Sequence, residues 1–133
     1  MSAARSLSLF FAAGAIGGLV NSLVVWLSGE LGVTQAFGVS IAPSLSPSWL
    51  YPRIVWGGLW GLLFTMPFSM GWLRRGLVLS LGPSLFQLFV VFPIKADKGV
   101  LGLELGALTP VFVLLFNAVW GVVASWWVRG TGA

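Results

Sequence analysis

Residues 74–95 read RRGLVLSLGPSLFQLFVVFPIK. Two arginines and a lysine enclose a stretch, 76–94, that carries no charge at all. A bilayer core of about 30 Å is crossed by about 20 apolar residues in helical form, so this stretch predicts a transmembrane helix. Its polar side chains are few and ordered. Ser80, Ser84 and Gln87 fall at i, i+4 and i+7, one face of a helix, which predicts that this face avoids lipid and points into a bundle.

Working outward, three more stretches have the same character. Upstream lies 50–72, with Arg53 one turn inside its start, and before it 7–28, between Arg5 and Glu30; downstream lies 110–128, ending at Arg129. An N-terminal signal peptide would break after Ala13, but the apolar run continues to Leu27, so 7–28 reads as a retained span. Hydrophobic residues make up 58% of the 133 residues and charged ones 8%, and mean hydropathy is +1.00. A soluble domain carries about a quarter of its residues as charges, so water cannot cover this surface and lipid must. The expected fold is an all-α integral membrane protein, a single membrane domain over 1–133 built as a four-transmembrane-helix bundle with connectors 29–49 and 95–109. A fifth span over 31–49 is rejected, because Gly32, Gly38, Pro43, Pro47 and several hydroxyl side chains make a poor lipid-facing helix.

Basic residues near span ends favour the cytoplasm, most strongly in short loops. The very short connector holding Arg74 and Arg75 therefore sets an N-in/C-in topology, with Arg5 and Arg129 on the same side and Arg53, Lys95 and Lys98 opposite. All three acids, Glu30, Asp97 and Glu104, then lie outside. Trp26, Trp49 and Tyr51 fall at the outer interface and Trp72, Trp126 and Trp127 at the inner one, the usual belt, while Trp56, Trp60 and Trp120 read as helix-packing residues. The expected location is a bacterial cytoplasmic (inner) membrane.

The outer connectors read as interfacial or re-entrant. Val33, Phe37 and Ile41 recur at i, i+4 and i+8, the pattern of an amphipathic helix, and Thr109-Pro110 reads as an N-cap followed by proline at the first helical position. The two halves also share a pattern: Glu30-x-Gly32-Val33 then Pro43, and Asp97-x-Gly99-Val100 then Pro110, followed by Val55-Trp56-Gly57 and Val119-Trp120-Gly121. A parallel repeat of two helical hairpins would produce this, and so would chance in a chain rich in glycine, valine and tryptophan.

With no histidine and no cysteine, thiolate and imidazole metal sites, haem ligation and histidine base chemistry are excluded. No catalytic constellation is found, a serine–lysine dyad at Lys95 has no nucleophile motif beside it, and the chain is expected to be no enzyme, with no cofactor and no metal. Basic residues are scattered, so the net charge of +4 points to lipid headgroups as partners and not to nucleic acid.

What remains are polar faces inside the spans. Asn21, Ser80, Ser84, Gln87 and Asn117 are expected either to line a solute path or to bond helices together, and Gly14, Gly18, Gly57, Gly61 and Gly121 to let helices pack closely. No charge sits mid-span, which argues against a proton relay. Glu30, Arg53, Lys95, Asp97, Lys98 and Glu104 form a candidate charge cluster at the outer mouth, with Arg53 expected to pair with Glu30, Asp97 or Glu104 because it lies deepest. The expected function is a permeation path or binding pocket for a small solute or ion, as a homo-oligomer. The alternative is an accessory or assembly subunit of a larger membrane complex. In the first, polar residues converge on one axis; in the second they pair locally and leave a small-residue face open for a partner.

Overall fold

The computed structural model describes residues 2–133, and every regular element among them is helical. Helix α1 (Ala3–Glu30) starts where the Ser2 hydroxyl accepts the Arg5 N–H at 3.2 Å. It ends where Gly32 turns into the left-handed region at φ 75°, a conformation that suits a residue without a Cβ. A single-turn helix α2 (Val33–Ala36) follows, then an extended stretch, and then α3 (Pro47–Gly61), capped by the Ser46 hydroxyl on the Trp49 N–H with proline at its start. The run Trp72–Lys95 is helical throughout, as α4 (Trp72–Leu79), α5 (Leu81–Phe86) and a π-helical segment (Gln87–Lys95). Pro93 has no N–H and its ring crowds the preceding turn, which accounts for the wider turn; the Ala96 N–H reaches back to the Val91 carbonyl at 2.8 Å. Helix α6 (Thr109–Thr131) ends at Gly132, again left-handed.

Three of these runs, Ala3–Glu30, Trp72–Lys95 and Thr109–Thr131, are long and apolar enough to cross a membrane. The stretch expected to be a span over 50–72 is not one uninterrupted helix. Helix α3 tightens into a 3-10 turn (Leu62–Thr65) and the chain leaves helical geometry at Met66, ahead of Pro67, which disfavours helix in the residue before it.

Glycine sets the packing. A Cβ at Gly14 would overlap the carbonyl oxygen of Gly57 and come within 2.7 Å of the Gly61 Cα, and one at Gly18 would lie 2.8 Å from the Arg53 carbonyl oxygen. Thus the Gly14/Gly18 face of α1 lies directly on the Gly57/Gly61 face of α3. The second hairpin closes in the same manner, with the Gly76 and Gly121 backbones in contact between α4 and α6. Helices α1 and α6 pack on each other, α1 also packs on α3, and α6 also packs on α4. Trp120, on α6, joins three elements: its indole N–H is shared between the carbonyls of Gly14 at 3.1 Å and Gly57 at 3.3 Å. Around it Phe10, Ala13, Phe64, Leu79, Ala124 and Val128 form one core cluster, and a second, of Val25, Val39, Phe112 and Phe116, lies toward the connectors.

The connectors depart from expectation in three places. The amphipathic pattern Val33, Phe37, Ile41 is not a continuous helix: Gly38 is left-handed at φ 74°, and the residue buried beyond it is Val39. Thr109 is the first residue of α6 and caps nothing; its hydroxyl is buried without a partner. The piece after Gly99 is a 3-10 segment (Val100–Leu105) whose Leu101 and Leu105 pack on Leu88, Phe92 and Val113, while Glu104 is exposed. The two connectors also meet, the Ser40 N–H donating to the Leu105 carbonyl at 2.8 Å and Gly106 lying against the Gly38 backbone. Each half therefore runs long helix, short helical turn, helix, with Gly32 and Gly99 both at positive φ before the short turns. The acid-to-proline spacing does not carry over, since Pro110 lies at the start of α6 but α3 begins four residues after Pro43, at Pro47.

Candidate functional site

Because the glycine contact brings α3 so close to α1, Arg53 is carried over the Asn21–Ser22 face of α1. Its Nε donates to the Ser22 hydroxyl at 2.9 Å and one Nη to the Asn21 side-chain oxygen at 2.8 Å, and its guanidinium lies 4.7 Å from the centre of the Trp49 ring. Ser22 in turn donates to the Gly18 carbonyl at 2.7 Å, and the Asn21 amide nitrogen donates to the Phe116 carbonyl of α6. The expected partner of Arg53 was a carboxylate. No carboxylate is within ion-pair distance of it, and none of the described residues forms an ion pair; Glu30, Asp97 and Glu104 are all exposed. The physical reason is reach: the acids end helices or sit in connectors turned outward, whereas the Gly18 contact draws Arg53 inward along α1.

Across the bundle, Asn117 of α6 donates through its amide nitrogen to Ser84 Oγ at 3.1 Å and to Gln87 Oε1 at 3.2 Å. Gln87 is the first residue of the π segment. Ser84 and Ser80 spend their own protons locally, on the Ser80 carbonyl at 2.8 Å and the Leu77 carbonyl at 2.7 Å. Of the five residues expected either on a solute path or between packed helices, Asn21, Gln87 and Asn117 thus come together at cavities, Ser84 accepts from Asn117, and Ser80 lies apart against Gly121.

Two cavities flank this set. One, of about 360 Å³, lies under the connectors, where Ser40, Ile41, Pro43 and Trp49 close over Val25, Phe92, Val113 and Phe116. The other, of about 290 Å³, lies between α3 and the π segment, walled by Pro52, Trp56, Trp60, Phe86 and Val91. Four side chains, Asn21, Arg53, Gln87 and Asn117, line both. Neither lining contains an acid, and the second adds Lys95. Of the outer-mouth charge cluster, Arg53 and Lys95 alone line either of these two cavities.

Four contributors were not singled out from sequence. Ser22 continues the series Gly14, Gly18 at four-residue spacing and was legible there. Trp49, read as an interface anchor, stacks on Arg53, and Trp56 and Trp60, read as helix-packing residues, form a cavity wall; nothing in their spacing signals either role. Comparison with known proteins brings no match, neither to a family model, nor to a curated protein, nor to a solved structure.

Proposed function

We propose that this chain is a four-span membrane protein with both ends in the cytoplasm, and that it holds a small solute or ion at the junction of Asn21, Arg53, Gln87 and Asn117, in a binding pocket or on a path across the bilayer. The observation that carries this reading is that two cavities share these four polar side chains. Asn117 and Gln87 bond each other as packing amides do, but open space lies beside the pair, which packing alone does not require. The count of four is supported by reach: α3 and its 3-10 turn together extend roughly 30 Å, the thickness of a bilayer core. An accessory subunit would leave its small-residue faces open for a partner, yet Gly14, Gly57, Gly61, Gly76 and Gly121 all close on one another within the chain. Both cavities are lined by one chain, so the site needs no second copy; a homo-oligomer is proposed on the ground of size alone and is read from the mass of the particle in mild detergent.

The test is flux and retention of labelled small ions and neutral solutes in liposomes containing the purified protein. A solute that enters or is held, with at least a tenfold loss in Asn21→Leu and Gln87→Leu and none in Lys98→Leu, is the expected result. Liposomes that behave as protein-free ones for every solute, or that are indifferent to both changes at the junction, would refute it.

A further inference from the structure

The second cavity has a wall and an end of opposite character, and the two together specify a ligand. Its wall is aromatic: Trp56 and Trp60 of α3 face Phe86 of α5, at ring separations of 6.5 Å and 5.5 Å. Helix α3 packs its backbone on α1 and meets the run Trp72–Lys95 only through such side chains, so this flank of the bundle is a cleft and not a helix–helix seam. Trp56 is 50% exposed and Phe86 36%, which places the mouth of the cleft on the outside of the bundle, where lipid chains lie if the helices cross a membrane.

The inner end is cationic. A guanidinium has five N–H donors and stays charged, and Arg53 engages two of them, both with neutral oxygens. The Gln87 amide accepts from Asn117 through its oxygen, while its own N–H groups have no partner among the described residues. Lys95 lines the same cavity one element away, and no acid does. A buried-side cation with spare donors, a second cation and no counter-charge calls for an anion. The apolar opening gives that anion a route from the lipid side.

We infer that the cleft between α3 and the π segment admits the anionic headgroup of a membrane amphiphile sideways from the bilayer, with the phosphate or carboxylate on Arg53 and Lys95 and the first part of its chain against Trp56, Trp60 and Phe86. This rests on the reading of the junction as a ligand site and names the class of ligand.

Tryptophan fluorescence tests it on the whole chain, reconstituted in phosphatidylcholine vesicles doped with a small fraction of phosphatidylglycerol brominated on its chains, or with brominated phosphatidylcholine at the same fraction. The expected result is stronger quenching by brominated phosphatidylglycerol, with its apparent affinity falling roughly fivefold in Arg53→Gln and in Lys95→Gln, the amount one basic contact to an anionic lipid is worth. Lys98→Gln, exposed and outside the cavity, controls for the general attraction of a basic protein to anionic lipid. Should Arg53→Gln fold poorly, the surface position Lys95 carries the test. Equal quenching by both lipids, or an excess that neither change reduces, overturns the inference. So does an excess abolished by millimolar inorganic phosphate, which would assign the site to a soluble anion. In those cases flux that still depends on Asn21 and Gln87 leaves the pocket reading standing, whereas loss of both signals removes the two together.

Discussion

A methyl group at Gly14 has nowhere to go: it would overlap the Gly57 carbonyl oxygen, an atom fixed by its own helix and unable to rotate aside. The same crowding repeats from the other side at Gly57, against Gly18. Absence of side chains here lets the α1 and α3 backbones touch, and that closeness brings the Trp120 indole within bonding distance of carbonyls on both. Gly14→Val is therefore expected to destabilise the fold by about 3 kcal/mol, the upper range for overpacking a tight core, read as a lowered denaturation midpoint in detergent. Gly130→Ala, with nothing within 4 Å of its added methyl, should change that midpoint by no more than about 0.5 kcal/mol. A Gly14→Val protein as stable as the parent would mean that the two helices do not meet at this point.

Among the elements, α3 is held along its length by α1, and the 3-10 turn that ends it is closed by a side chain from the next run. Where the 3-10 turn gives way to extended chain, the Leu63 carbonyl accepts the Met66 N–H at 3.0 Å and the carbonyls beyond it leave the helical ladder. Arg75, from the start of the next run, donates to the Phe64 carbonyl and stacks its guanidinium 5.1 Å from the Phe64 ring, itself 1% exposed in the core. Its neighbour Arg74 is exposed. The two arginines look alike in sequence and read there as one topological signal, but only one of them closes the helix. Arg75→Leu should cost about 2 kcal/mol, as expected for a charged donor removed from a partly buried carbonyl, and Arg74→Leu about 0.5 kcal/mol or less. Hydrogen exchange at residues 62–65 distinguishes the two: faster exchange is expected in the Arg75 variant alone, and equal rates in both would show that the contact does not cap the turn.

For the whole molecule, the arrangement across the bilayer is directly measurable because the natural chain has no cysteine to interfere. Single cysteines at Ser44 and Ala96, both exposed in the connectors, should react with an impermeant maleimide added outside intact cells. Cysteines at Gly71 and Gly130, exposed at the opposite ends of their helices, should react only after the membrane is opened. Labelling of Ser44→Cys and Gly71→Cys from the same side would show that residues 47–65 do not cross, and the four-span proposal would fall to three.

How much of this was legible in the chain follows from what each feature depends on. Lipid compatibility is a sum over residues, so composition and charge-free length were enough to find the three helices long and apolar enough to cross a membrane. The glycine spacings were legible for a related reason: helical periodicity alone brings Gly14 and Gly18, or Gly57 and Gly61, onto one face. The interrupted end of α3 was partly legible in Pro67, but the apolar character of the residues around it masked the break. Which polar groups meet was beyond the sequence, because it depends on how closely two helices approach and at what rotation. Arg53 looked like the hub of an ionic mouth on charge count; one glycine contact beside it, at Gly18, turned it instead toward Asn21 and Ser22 and away from every acid. The cleft beside it is likewise a property of the packed bundle, since α3 can press its backbone on α1 only by leaving side chains alone to span the gap to the π segment.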